Sequence, residues 1–148
     1  MKKIIVICLM VLLLTGCGSS SSMVSLDIEG ASKALDTEFT KMVDMDKDEL
    51  SVVYGLDVSL LEEYEIKCSQ LMNGNFYAII KVSDANKDKV VEQMDNLFDV
   101  LESQSNLYSP EAVKLIQNHL ETKVGNYYIY IVSEDNQAMY DAIKGYIS

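Results

Sequence analysis

The 148-residue chain contains no arginine, no tryptophan and only one histidine. Without arginine, no side chain can clamp a phosphate through two parallel hydrogen bonds. The formal net charge of −11 would also repel a polyanion. Nucleic acid is therefore excluded as an expected partner. The single histidine, His119, excludes a metal site built from several histidines, and its position at the edge of an apolar stripe predicts a packing or surface role.

A long apolar run is also missing, since the longest one spans only residues 4–14. Those 11 residues are too few for a transmembrane helix, which needs about 20. Lys2 and Lys3 precede the run, and this order is typical of a secretory signal peptide. The following residues, Leu14-Thr15-Gly16-Cys17, resemble the lipobox of bacterial lipoproteins. An ordinary signal peptide with an incidental cysteine is the alternative.

The lipobox resemblance implies that residues 1–16 are cleaved and that Cys17 carries a diacylglycerol thioether with acyl chains such as palmitate. Cleavage would remove two lysines and no acidic residue, so the formal charge would change from −11 to −13. Two acyl chains anchor a protein stably where one chain is marginal. We therefore expect a protein attached to the extracytoplasmic face of the cell membrane, with the bilayer as its first partner and no cofactor besides this lipid.

The cysteine count predicts a domain without disulfides. Cys8 would leave with the signal peptide and Cys17 would be lipidated, so Cys68 alone remains as a free thiol. Residues 17–26 contain a serine run and are predicted to form a flexible tether of about 15–20 Å. Residues 27–148 are then long enough for a single domain with a modest core. This domain would sit close to the membrane.

The pattern of apolar residues predicts an α+β domain. Apolar side chains at three- and four-residue spacing favour helices over 28–42, 46–53, 84–101, 109–120 and 133–146. Two hairpins are predicted around Asn73-Gly74 and Gly125-Asn126, with strands over 65–71, 76–82, 122–124 and 127–132. We expect an antiparallel sheet of about four strands with helices packed mainly on one face.

The two hairpins resemble each other in sequence. Gly74-Asn75-Phe76-Tyr77 matches Gly125-Asn126-Tyr127-Tyr128 at a spacing of 51 residues. Each hairpin is followed by a predicted helix, which suggests an internal duplication of a ββα unit. The alternative is that any tight turn before a capped helix uses these residue types.

Three further segments resemble a family of small lipoproteins from Gram-positive, clostridium-like bacteria that is known only as a domain of unknown function. The segments are Tyr54-Gly55-Leu56-Asp57, Tyr108-Ser109-Pro110-Glu111 and Gly125-Asn126-Tyr127 leading into Val132-Ser133. The resemblance covers nearly all of the chain after Cys17. It implies a lipobox, a compact α+β body and a place in the cell envelope, but no activity and no site residues.

Two catalytic or metal-binding arrangements can be written from the sequence, and both are weak. Asp44, Asp46 and Asp48 open like a calcium loop, but Glu49 and Gly55 stand where glycine and a bidentate glutamate are needed. Helix capping explains the acidic run better. Cys68 with His119 would give a nucleophile and a base, but alternation on a strand predicts an inert thiol instead. We therefore predict no catalytic residue and no metal site.

The sheet offers a candidate binding face. Alternation places Tyr77, Ile79, Tyr128 and Tyr130 on the side opposite Phe76, Ala78 and Ile80. If helices cover one face only, these four residues would form an open surface suited to a protein or glycan partner of the envelope. The alternative is an ordinary solvated or buried strand face.

The function class that the sequence favours is a non-enzymatic binding or adaptor module at the membrane. Two alternatives stay open at this point: an envelope hydrolase that uses carboxylates or Cys68, and a sensor of a small ligand or cation.

Overall fold

The computed structural model of the protein describes residues 24–148. The predicted signal peptide, the lipobox and Cys17 lie outside the described residues. At the start of the described residues, Ser25 donates its backbone N–H to the carbonyl of Ser148 at 2.8 Å. Leu26 pairs with Ile147 in an isolated β-bridge and is buried.

Within residues 24–148, five strands and five α-helices form the domain. The helices are α1 (Ile28–Glu38), α2 (Lys47–Val52), α3 (Lys87–Ser105), α4 (Pro110–Gln117) and α5 (Asn136–Ile143). The strands are β1 (Met42–Asp44), β2 (Leu61–Ser69), β3 (Phe76–Val82), β4 (Leu120–Val124) and β5 (Tyr127–Val132). Short 3-10 helices cover Val58–Leu60 and Lys144–Tyr146. None of the helices in residues 24–148 is both long and apolar enough to cross a membrane.

The strands form one antiparallel sheet in the order β1-β2-β3-β5-β4. The prediction of four strands is wrong by one, because Met42 belongs to the edge strand β1 and not to the first helix. Helix α1 ends at Glu38, and Lys41 has a left-handed backbone with φ of 54°. This turn redirects the chain so that Met42 lies opposite Ser69 of β2.

Helices cover both faces of the sheet, so the predicted arrangement with helices mainly on one face is wrong. Helices α2, α3 and α4 pack on one face and form core A, whereas α1 and α5 pack on the other and form core B. The cause lies in the two central strands, because all six residues of β5 and six of the seven in β3 are buried. Strands that are apolar on both sides need a layer on each face.

The hairpins are arranged symmetrically in the sheet, but the helices that follow them are not. Strands β3 and β5 meet at the centre, with β2 and β4 outside them. Helix α3 then packs in core A and α5 in core B. Phe76 pairs with Val132, so these two residues lie on the same face of the sheet. Tyr127 is an odd number of residues from Val132 along β5, so the matched residues Phe76 and Tyr127 point to opposite faces.

The two ends of the sheet carry different parts of the molecule. We call the end with the Gly125-Asn126 turn the lower end, where Val82 donates its backbone N–H to the carbonyl of Asn126 at 3.0 Å and Lys81 pairs with Tyr127. Val24 lies against this turn, since a Cβ at Gly125 would be 3.1 Å from the Val24 side chain. The upper end is the one where Cys68 pairs with Phe76. Along β3 the two ends are about 20 Å apart.

Candidate functional site

An open groove of about 500 Å3 lies at the upper end of the sheet on the core A side. It runs between α2, the loop that joins β2 to β3, and the carboxyl end of α3. Its apolar floor includes Phe76, Leu101 and Ile116. The remaining lining residues come from the surrounding segments: Glu49, Tyr54, Cys68, Ser69, Met72, Gly74, Asn75, Gln104, Ser105, Leu107 and Tyr108.

Local sequence signals position the α2 wall of the groove. The Asp46 side chain accepts hydrogen bonds from the backbone N–H groups of Asp48 and Glu49, which is the N-cap predicted from the sequence. Gly55 follows the helix with φ of +72°, a left-handed conformation that favours glycine. These two features place Glu49 and Tyr54 beside the groove.

The loop over residues 70–75 forms the second wall. The sequence predicts a tight turn around Asn73-Gly74 between strands over 65–71 and 76–82, but β2 ends at Ser69 and β3 begins at Phe76, so the connection has six residues. Gly74 has φ of +85° and lies so close to α4 that a Cβ would be 2.9 Å from Ala112. The close approach of Gly74 to α4 explains why glycine occupies this position. The longer loop also raises Met72 to the rim.

The rim of the groove is apolar and open to solvent. Met72, Leu107 and Tyr108 expose 71%, 75% and 73% of their surfaces. Leu107 and Tyr108 belong to the short connection between α3 and α4, so they face the same opening as Met72. Single exposed apolar residues are ordinary, but a cluster that borders a cavity is typical of a binding surface.

No periodic pattern in the sequence indicates these rim residues, because they lie in loops. The available signal was their position: apolar side chains flank Asn73-Gly74 and precede Ser109-Pro110, where polar turn residues are expected. Only the fold brings the two loops to the same opening.

The groove contains few polar groups. The Tyr54 hydroxyl donates to Gln104 Oε1 at 3.1 Å. Burial raises the pKa of the Tyr54 hydroxyl above its usual range, and the Glu49 carboxylate raises it further. Burial is also the main cause that raises the pKa of the Cys68 thiol, and the Glu49 carboxylate raises it further. The thiol is therefore held in its protonated form, which makes it a poor nucleophile.

Cys68 and His119, the predicted alternative catalytic pair, line different clefts. The His119 ring stacks on Phe98 with centroids 3.9 Å apart, and its Nδ1 lies 2.8 Å from the carbonyl oxygen of Ile116. That side chain borders a second cleft with Asp95 and Asp99, while Cys68 borders the groove. The packing role predicted for His119 agrees with this stacking.

The open tyrosine face predicted from alternation is absent from the described part of the chain. Tyr77, Ile79, Tyr128 and Tyr130 are all buried. Moreover, Tyr77 and Ile79 lie in core B, whereas Tyr128 and Tyr130 lie in core A with Phe76. The error has two physical causes: helices cover both faces, and the pairing of Ala78 with Tyr130 puts those two residues on the same side.

The acidic run before α2 serves capping and ion pairing. Asp46 caps the helix, and Asp44 Oδ1 lies 3.6 Å from Lys67 Nζ. Within residues 24–148, no group of three or more histidine, cysteine or carboxylate side chains is placed to hold a metal ion. The capping interpretation of Asp46 is confirmed.

The chain matches the model of a known protein family. A family described as a domain of unknown function, DUF4358, matches residues 35–133. The matched segment contains the whole sheet and every residue that lines the groove. No curated protein and no solved structure shows significant similarity to the chain.

Proposed function

The chain belongs to the DUF4358 family, a domain of unknown function, and from that premise we propose that it is a lipid-anchored envelope protein whose α+β domain is a non-enzymatic binding module. The groove at the upper end of the sheet is the binding site, and its occupant is an apolar segment of another envelope protein. The observation that carries this proposal is the continuity of the apolar cavity with the exposed rim formed by Met72, Leu107 and Tyr108.

The anchor in this proposal is the lipid on Cys17, for which the support is the lipobox-like sequence over residues 14–17. Cys17 lies seven residues before Val24, so the chain between them can reach at most about 25 Å. Val24 lies at the lower end of the sheet, and the groove lies at the upper end. The groove therefore points away from the bilayer, toward partners in the envelope.

The shape of the groove favours a protein segment over a small molecule. Small ligands are usually held in enclosed pockets that bury most of their surface. This groove is open on one side, and its rim adds apolar area beyond the cavity itself. A short stretch of polypeptide can fill the floor and cover the rim at the same time.

The polar chemistry of the groove supports a binding role rather than a hydrolase. A hydrolase that uses Cys68 needs a base within hydrogen-bond reach to activate the thiol. No histidine or lysine lines the groove, and the one carboxylate that does, Glu49, adds to burial in raising the pKa of the Cys68 thiol. The raised pKa of the Cys68 thiol further reduces the thiolate fraction.

The proposal is tested by selecting displayed random peptides on the full chain held in lipid nanodiscs, with empty nanodiscs as the subtraction. We expect enrichment of peptides rich in apolar residues. The Met72→Ser/Tyr108→Ser variant should lose that enrichment, while Val52→Ser, which changes an exposed valine outside the groove, should keep it. Absence of enrichment over empty nanodiscs would overturn the proposal.

A further inference from the structure

We propose that the groove selects a cationic apolar segment, that is, a stretch of polypeptide that places an apolar side chain on the floor and a lysine or arginine beside the Glu49 carboxylate. The inference rests on the proposed function and specifies the chemistry of the partner.

Glu49 is the single charged side chain among the residues that line the groove. It is exposed, and within the described chain its carboxylate takes part in no salt bridge and accepts no side-chain hydrogen bond. The neighbouring acid Asp44, in contrast, already lies near Lys67. The groove thus contains one negative charge that solvent alone compensates.

The position of this charge decides which ligands fit. An apolar segment that enters the groove removes water from its walls, and a carboxylate that loses water without gaining a partner costs free energy. A neutral or acidic segment would impose that cost, whereas a lysine or arginine removes it with a charge-assisted hydrogen bond. Glu49 therefore discriminates between partners by charge.

The Glu49 carboxylate shares the lining of the groove with the Tyr54 hydroxyl and the Cys68 thiol. It raises the pKa of the Tyr54 hydroxyl and of the Cys68 thiol, and both of these side chains line the cavity. A cation beside Glu49 would therefore lie at the wall of the groove that also carries these two side chains.

The surroundings of the groove also favour a cation. No lysine lines it, so no cation of the chain itself competes for Glu49. The exposed ring of Tyr108 on the rim can accept a lysine or guanidinium group over its face. The net charge of −11 increases the rate at which positively charged segments arrive.

The test uses the peptide selection on nanodiscs described above and compares three proteins: wild type, Glu49→Gln, and Asp48→Asn as the matched control. Asp48 is the adjacent residue, and it carries the same charge but does not line the groove. For wild type and Asp48→Asn we expect enriched peptides that combine apolar residues with lysine or arginine. For Glu49→Gln we expect apolar peptides without the basic residue.

Titration of one enriched peptide gives the magnitude. We expect Glu49→Gln to weaken binding about threefold to tenfold and Asp48→Asn less than twofold. If wild type enriches apolar peptides with no basic residue, or if Asp48→Asn weakens binding as much as Glu49→Gln, the charge selection is wrong and the binding groove stands. If no peptide is enriched, the proposed function fails with it.

Discussion

The hydroxyl of Tyr77 gives the sharpest test of how the two sides of the sheet are packed. In core B it lies 2.8 Å from Ser32 Oγ and donates to Asp36 Oδ1, also at 2.8 Å. Tyr77→Phe keeps the ring and its stacking on Phe39 but removes both interactions. If Tyr77 were on an open face, as its strand alternation suggests, the same change would have almost no effect on stability.

The loss of folding stability depends on which interactions Ser32 and Asp36 keep after the substitution. A hydrogen bond to a charged group contributes about 1.5–3 kcal/mol to folding stability. Asp36 keeps its ion pair with Lys67 at 2.7 Å, so part of the loss is recovered. We expect the free energy of unfolding to fall by about 1.5–2.5 kcal/mol, which corresponds to a decrease of about 5–10 °C in Tm.

Tyr130→Phe is the matched control, measured by urea denaturation together with wild type and Tyr77→Phe. The Tyr130 hydroxyl is buried and has no hydrogen-bond partner within residues 24–148. Its removal should leave stability unchanged or raise it by up to about 1 kcal/mol, because an unsatisfied polar group leaves the core. The packing of core B is refuted if Tyr77→Phe stays within about 0.5 kcal/mol of wild type, or if Tyr130→Phe is the more destabilising change.

Further predictions concern pH, a loop glycine and the anchor. Burial raises the pKa of the Tyr77 and Tyr130 hydroxyls above the usual range, so the unfolded chain ionises first. The contribution of these two hydroxyls to the free energy of unfolding should be steady below pH of about 10 and fall above it by up to about 1.4 kcal/mol per pH unit for each tyrosine. Urea titrations at pH 9 and 11 measure this fall, which Tyr77→Phe/Tyr130→Phe should reduce; an unchanged slope would contradict it. Gly74→Ala should destabilise by about 1–3 kcal/mol because of its φ of +85° and its contact with α4, whereas Gly145→Ala, with nothing within 4 Å, should be nearly neutral in the same urea assay. Equal effects of the two glycine changes would argue against the loop geometry. Cys17→Ser should move the protein from the membrane fraction to the soluble fraction or block its processing, as seen on an immunoblot; a variant that stays in the membrane fraction at mature size would exclude the lipid anchor.

Elements with strong local signals could be predicted from the sequence. Ser109 caps α4 through the N–H of Ala112, with Pro110 at the first helical position. Strand β3 has the predicted bounds Phe76–Val82, and β5 has the predicted bounds Tyr127–Val132. In each case neighbouring residues in the sequence determine the structure, so no knowledge of the tertiary fold is required.

Features that depend on distant residues could not be predicted. The hydroxyl of Tyr77 is satisfied by Ser32, which is 45 residues away, and nothing near Tyr77 in the sequence indicates that partner. Alternation shows which residues of one strand lie on the same face of the sheet. Which residues of β3 and β5 share a face depends on how the two strands pair. Because of that pairing, Tyr77 and Tyr128 lie on opposite faces of the sheet, and the predicted binding face is wrong.

The groove could not be predicted from the sequence for the same reason. Its walls come from α2, from the loop over 70–75 and from the connection between α3 and α4, which lie far apart along the chain. Each segment alone has an ordinary explanation as a cap, a turn or a helix end. The apolar rim becomes visible only when the fold places Met72 beside Leu107 and Tyr108.

The most direct measurement is photocrosslinking in intact cells with a photoreactive amino acid placed at Met72 on the rim and, in a second strain, at Asn126 in the turn at the lower end. Both positions are exposed, and they mark opposite ends of the sheet. A binding groove that points away from the membrane predicts a discrete protein adduct from position 72, its loss when Tyr108→Ser is added, and no such adduct from position 126. Identical adducts from both positions, or none from position 72, would contradict the assignment of the groove as the binding site.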